Sequence, residues 1–328
     1  MASGHKDSGD HDGRAPAGAG AAAQGAAAGD ADAPVGEAGA RVAVRKAYKM
    51  FVGGAFVRSE SGRTTQVRDH GGAGTVENIP RASRKDARDA VLAAAGALSG
   101  WSSRTAYNRG QILYRLAEML EARRAELAAS LERGGQGAGA AQREALATVD
   151  RAVAFAGWAD KYQGLFSSLN PVAGPHFTFT VPEPMGVVVI AAPPRPALLG
   201  LAGSLLPVIT AGNTCVVLAS ELDPRTALVL GEALATSDLP GGVVNLLTGQ
   251  LAEVLPHLAA HMEVAALDLH GVDAALGKRV EEAAAASVKR VRARSLGEAA
   301  WFDDASATSP RWIERFVEMK TIWHPAGP

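Results

Sequence analysis

Cys215 is the one thiol in this chain of 328 residues, so thiolate chemistry is the first possibility to weigh. A nucleophilic thiolate needs an electropositive, partly exposed setting. Cys215 instead lies in the apolar run TCVVLA, where a free cysteine acts as a small buried hydrophobe. His257, His261 and His270 are scattered around another apolar run, and ordinary surface or core packing accounts for them without proton transfer. His5 and His11 are too few to hold a metal, and the chain lacks HExxH and CxxC. The run Gly135-Gln136-Gly137-Ala138-Gly139 approaches the dinucleotide pattern GxGxxG. Ala140 breaks its spacing and no strand precedes it, so it reads as a loop ending a helix. On residue types alone, no catalytic residue and no metal site is assigned.

Lys and Arg number 33 against 34 Asp and Glu, a formal net charge of -1. No global field therefore favours nucleic acid or an anionic membrane as partner. No apolar run is long enough to span a bilayer. A single cysteine permits no internal disulfide, which suits a reducing, cytoplasmic location. Residues 1–45 are mostly Ala, Gly and Asp without an aromatic residue, a composition that predicts a disordered tail.

The elements that would position any site follow from periodicity. MFVGGAFV predicts a hairpin turned at Gly53-Gly54. Ser83 and Asp86 form a capping-box pattern at the start of a helix carrying Ala87, Val91, Leu92 and Leu98. A second helix is predicted over about Tyr107–Arg133 and a third over about Ala141–Tyr162. HFTFTV (176–181) alternates like a half-buried strand, with Pro182 and Pro184 marking a turn after it. Beyond it, apolar runs at Val187–Ala191, Cys215–Leu218, Val243–Leu246, Val264–Leu269 and Val288–Val291 alternate with helical patterns at about 197–210, 224–236, 251–260 and 273–286. Continuous apolar strands joined by helices predict a parallel sheet covered on both faces. The expected fold is α/β, a Rossmann-like doubly wound parallel sheet with N-terminal helices.

Several segments resemble one family. MFVGGAFVRSESGRT is similar to the opening strands of the aldehyde dehydrogenase superfamily. Trp101, Arg109 and ILYRLAEMLEARRAELA resemble its first long helices. VPEPMGVVVIAAPPRPALL resembles the stretch around its proline–tryptophan–asparagine turn, and LLPVITAGNTCVVLASELDP its ribose-facing strand. SDLPGGVVNLLTG is the closest match of all. The resemblance covers about residues 49–302 and is nearest to the branch whose members carry a degenerate second aldehyde dehydrogenase module.

The resemblance implies a chemistry with four needs. In that family a cysteine thiolate attacks the aldehyde, hydride leaves to a nicotinamide cofactor, and water releases the acid. The oxyanion-donating asparagine should fall in Pro193–Pro196, which here carries Arg195 instead. The general-base glutamate should fall in Ala293-Arg294-Ser295-Leu296-Gly297, where arginine or serine replaces it and Glu298 lies past the glycine. No cysteine follows Cys215. Of the cofactor site, Glu221 matches an acidic position and Gly271 survives in the phosphate-facing turn. The lysine is absent, and Asp273 places a carboxylate near the pyrophosphate. The resemblance thus implies NAD or NADP as cofactor, with binding weakened or lost, and Glu221 and Gly271 as the remnants of its site.

Arg311–Pro328 resembles the same family's closing strand and extended arm, which with the segment matching HFTFTVPEP forms a small sheet that pairs subunits. The chain then reads as a cofactor-binding-type domain over 46–302, a junction over 303–310 in place of the catalytic domain, and an oligomerisation arm over 311–328. Trp312, Phe316, Ile322 and Trp323 are expected to be buried. The expected role is a non-catalytic subunit, forming a homo-oligomer or a hetero-oligomer with a full-length aldehyde dehydrogenase. Two alternatives remain: an NAD(P)-dependent oxidoreductase whose catalytic groups a partner supplies, and a nucleotide-binding sensor module.

Overall fold

The computed structural model describes residues 45–70 and 76–326. The tail expectation for 1–45, with His5 and His11, lies outside these residues apart from Arg45. A hairpin comes first, β1 (Met50–Val52) and β2 (Ala55–Val57), turned by Gly53 and Gly54 at positive φ, where a side chain would be strained. β3 (Thr64–Arg68) and β4 (Val76–Pro80) form a second hairpin. Then come α1 (Arg84–Ser102), α2 (Ala106–Ala122), α3 (Arg124–Arg133), α4 (Ala138–Trp158) and the short α5 (Tyr162–Phe166), followed by β5 (Ser168–Leu169) and β6 (His176–Pro184). The alternating part is β7 (Val187–Ala191), α6 (Leu199–Thr210), β8 (Thr214–Leu218), α7 (Pro224–Ala235), β9 (Val244–Leu247), α8 (Leu251–Ala260), β10 (Val264–His270), α9 (Ala274–Ala285) and β11 (Arg290–Arg294). Three helical turns, α10 (Glu298–Trp301), α11 (Asp304–Ala307) and α12 (Arg311–Glu314), lead to β12 (Val317–Pro325).

The large sheet has the order β11-β10-β7-β8-β9-β1-β2. Its first five strands are parallel, and the β1–β2 hairpin adds antiparallel beside β9. All residues of β7, β8 and β9 are buried, as strands covered on both faces must be. One core packs α2, α3, α4, α6 and α7 on one face, including Val188, Ile190 and Val217. The other packs α1, α8 and α9 on the opposite face, including Val187, Val189 and Val216. The expected doubly wound α/β fold is therefore present, and the chain order reverses between β7 and β10. Crevices at such reversals, at the carboxyl ends of the strands, are where ligands of these sheets bind.

Local signals explain several boundaries. Ser83 Oγ accepts from the backbone of Lys85 and Asp86 while Asp86 accepts from Ser83 N at 2.8 Å, the predicted capping box. Leu92 does not join the buried stripe. It is 52% exposed, because Ala87, Ala90, Val91 and Ala94 define the inward face at helical spacing. The single long helix predicted over Tyr107–Arg133 is two, broken at Arg123 (φ -104, ψ 8), so that α3 turns toward α7, where Ser130 and Thr226 hydroxyls meet at 3.0 Å. The third helix ends at Trp158, and Tyr162 begins α5. The last parallel strand is Arg290–Arg294 rather than Val288–Val291; Val288 sits exposed in the preceding turn at φ 54.

The C-terminal segment returns to the body of the fold. β12 pairs antiparallel with β6 from Val317↔Pro184 to Pro325↔His176, giving a small sheet in the order β12-β6-β5. Pro182 and Pro184 lie inside β6 rather than after it. β5 reaches only Phe179 and Thr180, so the two prolines sit beyond its end, where no N–H is needed. Trp312 and Phe316 are buried as expected, whereas Trp323 is 60% exposed on β12. The turns over 303–310 are anchored by indoles: Trp158 Nε1 donates to Thr308 O at 2.8 Å, and Trp312 Nε1 to Ser306 O at 3.0 Å.

Asn213, fully buried, joins these parts. Its Oδ1 accepts from Met185 N (2.7 Å) and Gly186 N (2.9 Å), and its Nδ2 donates to Phe316 O (2.7 Å) and Val208 O (3.2 Å). Truncating it leaves buried backbone groups unpaired at about 1–3 kcal/mol each. Asn213→Ala is expected to lower the unfolding free energy by about 3 kcal/mol or more, measured by urea titration; a loss below about 1 kcal/mol would contradict this role.

Candidate functional site

The crevice at the sheet's reversal is bounded by the loop after β7 and the loop after β10. Gly271 adopts φ +63 in the second loop, and a Cβ there would lie 2.6 Å from Pro194 Cδ. The pyrrolidine of Pro194 thus lies against the face of Gly271 from which a side chain would project. Asp273 caps α9, its Oδ1 accepting from Leu276 N at 2.9 Å. Glu221 Oε1 accepts from Leu251 N at 2.5 Å, at the start of α8. The two predicted remnants, Glu221 and Gly271, therefore sit after different strands of the same sheet, Glu221 bonded to the start of α8 and Gly271 two residues before the Asp273 cap of α9. A shallow groove of about 580 Å³ remains beside Gly271, lined by Asp273, Lys278, Glu281 and Arg294 among others. At these strand ends the α9 N-terminus holds the Asp273 carboxylate and Pro194 lies against Gly271.

The positions expected to carry catalysis have other occupations. Arg195 is exposed in the loop after β7. Arg294, at the place expected for the general base, grips Asp268 on the neighbouring strand, with Nε to Oδ1 at 3.2 Å and Nη2 to Oδ2 at 2.6 Å. Its guanidinium also stacks over Trp312, 4.5 Å from the ring centre, with Arg315 on the same indole at 4.3 Å. Ser295 and Glu298 are exposed. Cys215 is fully buried near the start of β8, away from the strand ends, and burial pushes its thiol pKa far above the ordinary value.

His270 forms a buried cluster that sequence reasoning did not find. Its Nε2 lies 3.0 Å from Asp268 Oδ2 and 3.1 Å from Ser204 Oγ, and its ring packs on Trp301. Serine, histidine and aspartate in contact invite comparison with a nucleophilic triad. Here one ring nitrogen serves both partners, and Ser204 already donates to Gly200 O at 2.8 Å, so the hydroxyl has no base. The cluster is a charge-pairing device. Burial raises the Asp268 pKa, but the hydrogen bond from His270 and the charge of Arg294 outweigh it and hold the carboxyl below its ordinary range. The one legible signal was an aspartate inside the apolar strand VAALDLH. His257 is exposed on α8, its pKa lowered by partial burial and by Arg84, and His261 ends that helix. Among the described residues no group of three or more His, Cys, Asp or Glu is arranged to hold a metal, and no helix is long and apolar enough to cross a membrane.

A sequence model described as "Aldehyde dehydrogenase family" matches residues 56–320. The chain is 30% identical to the mitochondrial 10-formyltetrahydrofolate dehydrogenase of Homo sapiens over 261 residues, 78% of this chain but 28% of that protein. It is 34% identical to retinal dehydrogenase 2 of Gallus gallus over 252 residues, 75% of this chain and 48% of that protein. Solved structures agree. An aldehyde dehydrogenase from Brucella melitensis biovar abortus 2308 gives a TM-score of 0.72 at 25% identity, covering 77% of this chain and 52% of that one. The NAD+ complex of an aldehyde dehydrogenase from Bacillus cereus gives 0.72 at 25% identity, covering 77% and 51%. The chain thus spans about half the length of these solved structures, and 28% of the first relative.

Two outcomes follow from the buried groups. Because the Asp268 pKa is depressed in the fold, its stabilisation is present above the unfolded value of about 4 and is lost as pH falls through and below it. Asp268→Asn is expected to flatten the decline of stability between about pH 5 and 3 and, by leaving Arg294 unpaired, to cost about 3–5 kcal/mol at pH 7, both read from urea midpoints. In the native protein Cys215 is expected to resist Ellman's reagent, with one thiol reacting after unfolding; rapid native labelling would show that the buried geometry is wrong.

Proposed function

Since the chain belongs to the aldehyde dehydrogenase family, we propose that it acts as a non-catalytic member that works by assembly, with a full-length aldehyde dehydrogenase or with itself. The observation that carries this reading is Arg294. Where the family resemblance calls for a base, an arginine is locked to Asp268 and stacked on Trp312, which belongs to the C-terminal segment. The same substitution that removes a base therefore helps hold the arm-bearing end of the chain in place. The arm in turn completes a sheet with β6.

Assembly is favoured by what that sheet leaves open. Leu169, Phe177, Met319 and Trp323 are exposed on it, and a three-stranded sheet with free apolar side chains gains by packing against a partner. Dinucleotide binding is weak or lost in this reading, because Pro194 and Asp273 fill the approach to Gly271 and the α9 entrance.

The decisive experiment combines activity and capture. The purified chain with a panel of aldehydes and NAD or NADP is expected to give no rise in absorbance at 340 nm, and about 1 mM of either cofactor no thermal shift beyond scatter. Tagged protein from native extract is expected to bring down a full-length aldehyde dehydrogenase or further copies of itself. Turnover by the chain alone would overturn the non-catalytic reading; a strictly monomeric chain with no dehydrogenase partner would overturn assembly.

A further inference from the structure

α1 and α8 pack together on one face of the large sheet. A surface groove of about 480 Å³ lies between the first turns of α1 and the last turn of α8. Its polar lining is Arg84, Lys85 and Arg88 from α1, with His257 and His261 from the α8 side. Ala87 and Leu258, both buried, form its floor. No carboxylate lines it, and it shares no residue with the groove beside Gly271.

The charges of this groove are poorly matched. Close by in the chain, Arg81 and Arg63 share Glu253, with Arg81 Nε to Oε2 at 3.2 Å and Arg63 Nη2 to the same oxygen at 3.5 Å. Arg84, by contrast, is exposed, and its guanidinium makes no ion pair or hydrogen bond among the described residues. Lys85 stands 3.8 Å from Glu60, whose other oxygen accepts from Ser83 Oγ at 2.9 Å. Arg88 pairs with its chain neighbour Asp89 at 2.9 Å. Partial burial and the Arg84 charge hold the His257 pKa below its ordinary value. His261 Nδ1 accepts from Glu263 N at 3.3 Å, which leaves the neutral ring's proton on Nε2 to donate. Position adds to the mismatch, because the three cations sit in the first turns of α1, where the helix dipole disfavours positive charge. Ser83 already accepts from Lys85 N and Asp86 N, so what the groove offers is side chains rather than backbone.

We propose that this groove binds a phosphate-bearing small molecule, its phosphate held by Arg84, Lys85 and Arg88, with His257 and His261 on the opposite wall. Guanidinium forks match paired phosphate oxygens, and an ammonium serves as a point charge beside them. A dianion relieves both the mutual repulsion of the cations and their opposition to the α1 dipole, which a neutral ligand cannot do. The groove is larger than a bare phosphate and within the range of small-molecule sites, and the floor of Ala87 and Leu258 suits a modest organic part. The site is independent of the assembly reading.

The test uses the full chain in phosphate-free buffer at constant ionic strength, with inorganic phosphate and glycerol 3-phosphate as probes and glycerol and chloride as controls. Both phosphates are expected to raise Tm and to move the His257 and His261 ring resonances. The His257 pKa is expected to rise, since a bound dianion favours the imidazolium. Glycerol and chloride are expected to do neither. Arg84→Gln is expected to weaken binding of both phosphates at least about tenfold. The same variant is expected to raise Tm in phosphate-free buffer, because it removes a cation that the α1 dipole disfavours. An arginine with only a structural role would give the reverse, a lower Tm with unchanged affinity. Lys278→Gln, in the groove beside Gly271, is expected to leave affinity unchanged. Absence of any response to either phosphate at about 20 mM overturns the site. Binding that survives Arg84→Gln/Arg88→Gln, or that is lost in Lys278→Gln, overturns it as well.

Discussion

Asn213 sits where three stretches of chain meet: the entry to the central strand β7, the last turn of α6, and the C-terminal segment at Phe316, just before β12. A carboxamide supplies two acceptor lone pairs and two donors, and here both ends are used on backbone groups that no ladder reaches. The remaining architecture depends on that junction. The two N–H groups it satisfies begin the middle strand of the parallel sheet, and the carbonyl it satisfies precedes β12. If Phe316 were not held beside Val208, the nine residues of β12 would not meet β6 in register. Water cannot substitute at a fully buried site without a cavity to hold it.

The strand ends are held by packing, capping and ion-pair contacts within the chain. In a ligand-binding sheet of this type the loops after the strands are kept open, with glycine and helix N-termini facing the crevice. Here Pro194 lies on Gly271, Asp273 caps α9, and Glu221 bonds the start of α8. Arg294 and Asp268 form an ion pair that is stable because neither is left alone. Arg294 has Trp312 beneath it and Asp268 has His270 beside it. Pairs of this kind contribute little relative to an apolar substitute but are costly to break singly, so they preserve a geometry once it exists.

The same arginine-rich strand also joins the two sheets. β11 is an edge strand, and unpaired edges invite association unless charged or covered. Arg290 and Arg294 tie it to the C-terminal segment: Arg290 reaches the carbonyls of Arg315 and Val317 and the Glu318 carboxylate, and Arg294 carries Trp312.

The sequence by itself determined the alternation of apolar strands with helices from β7 onward, the Gly53-Gly54 hairpin, the Ser83–Asp86 cap, and the presence of a single thiol. These are matters of composition or of contacts within a few residues, which periodicity and residue type record directly. It also matched the closing strand to the segment it pairs with, because both retained recognisable family patterns. Tertiary structure decided the rest. It broke the predicted helix at Arg123, kept Pro182 and Pro184 inside a strand whose neighbour had ended, left Trp323 exposed, and moved the last parallel strand from Val288 to Arg290. It alone joined Arg294 to Asp268, 26 positions away, and Asn213 to Phe316, 103 away. Hydrogen bonds and ion pairs between distant residues leave no periodic trace, because their energy comes from satisfying each other after the apolar elements have packed.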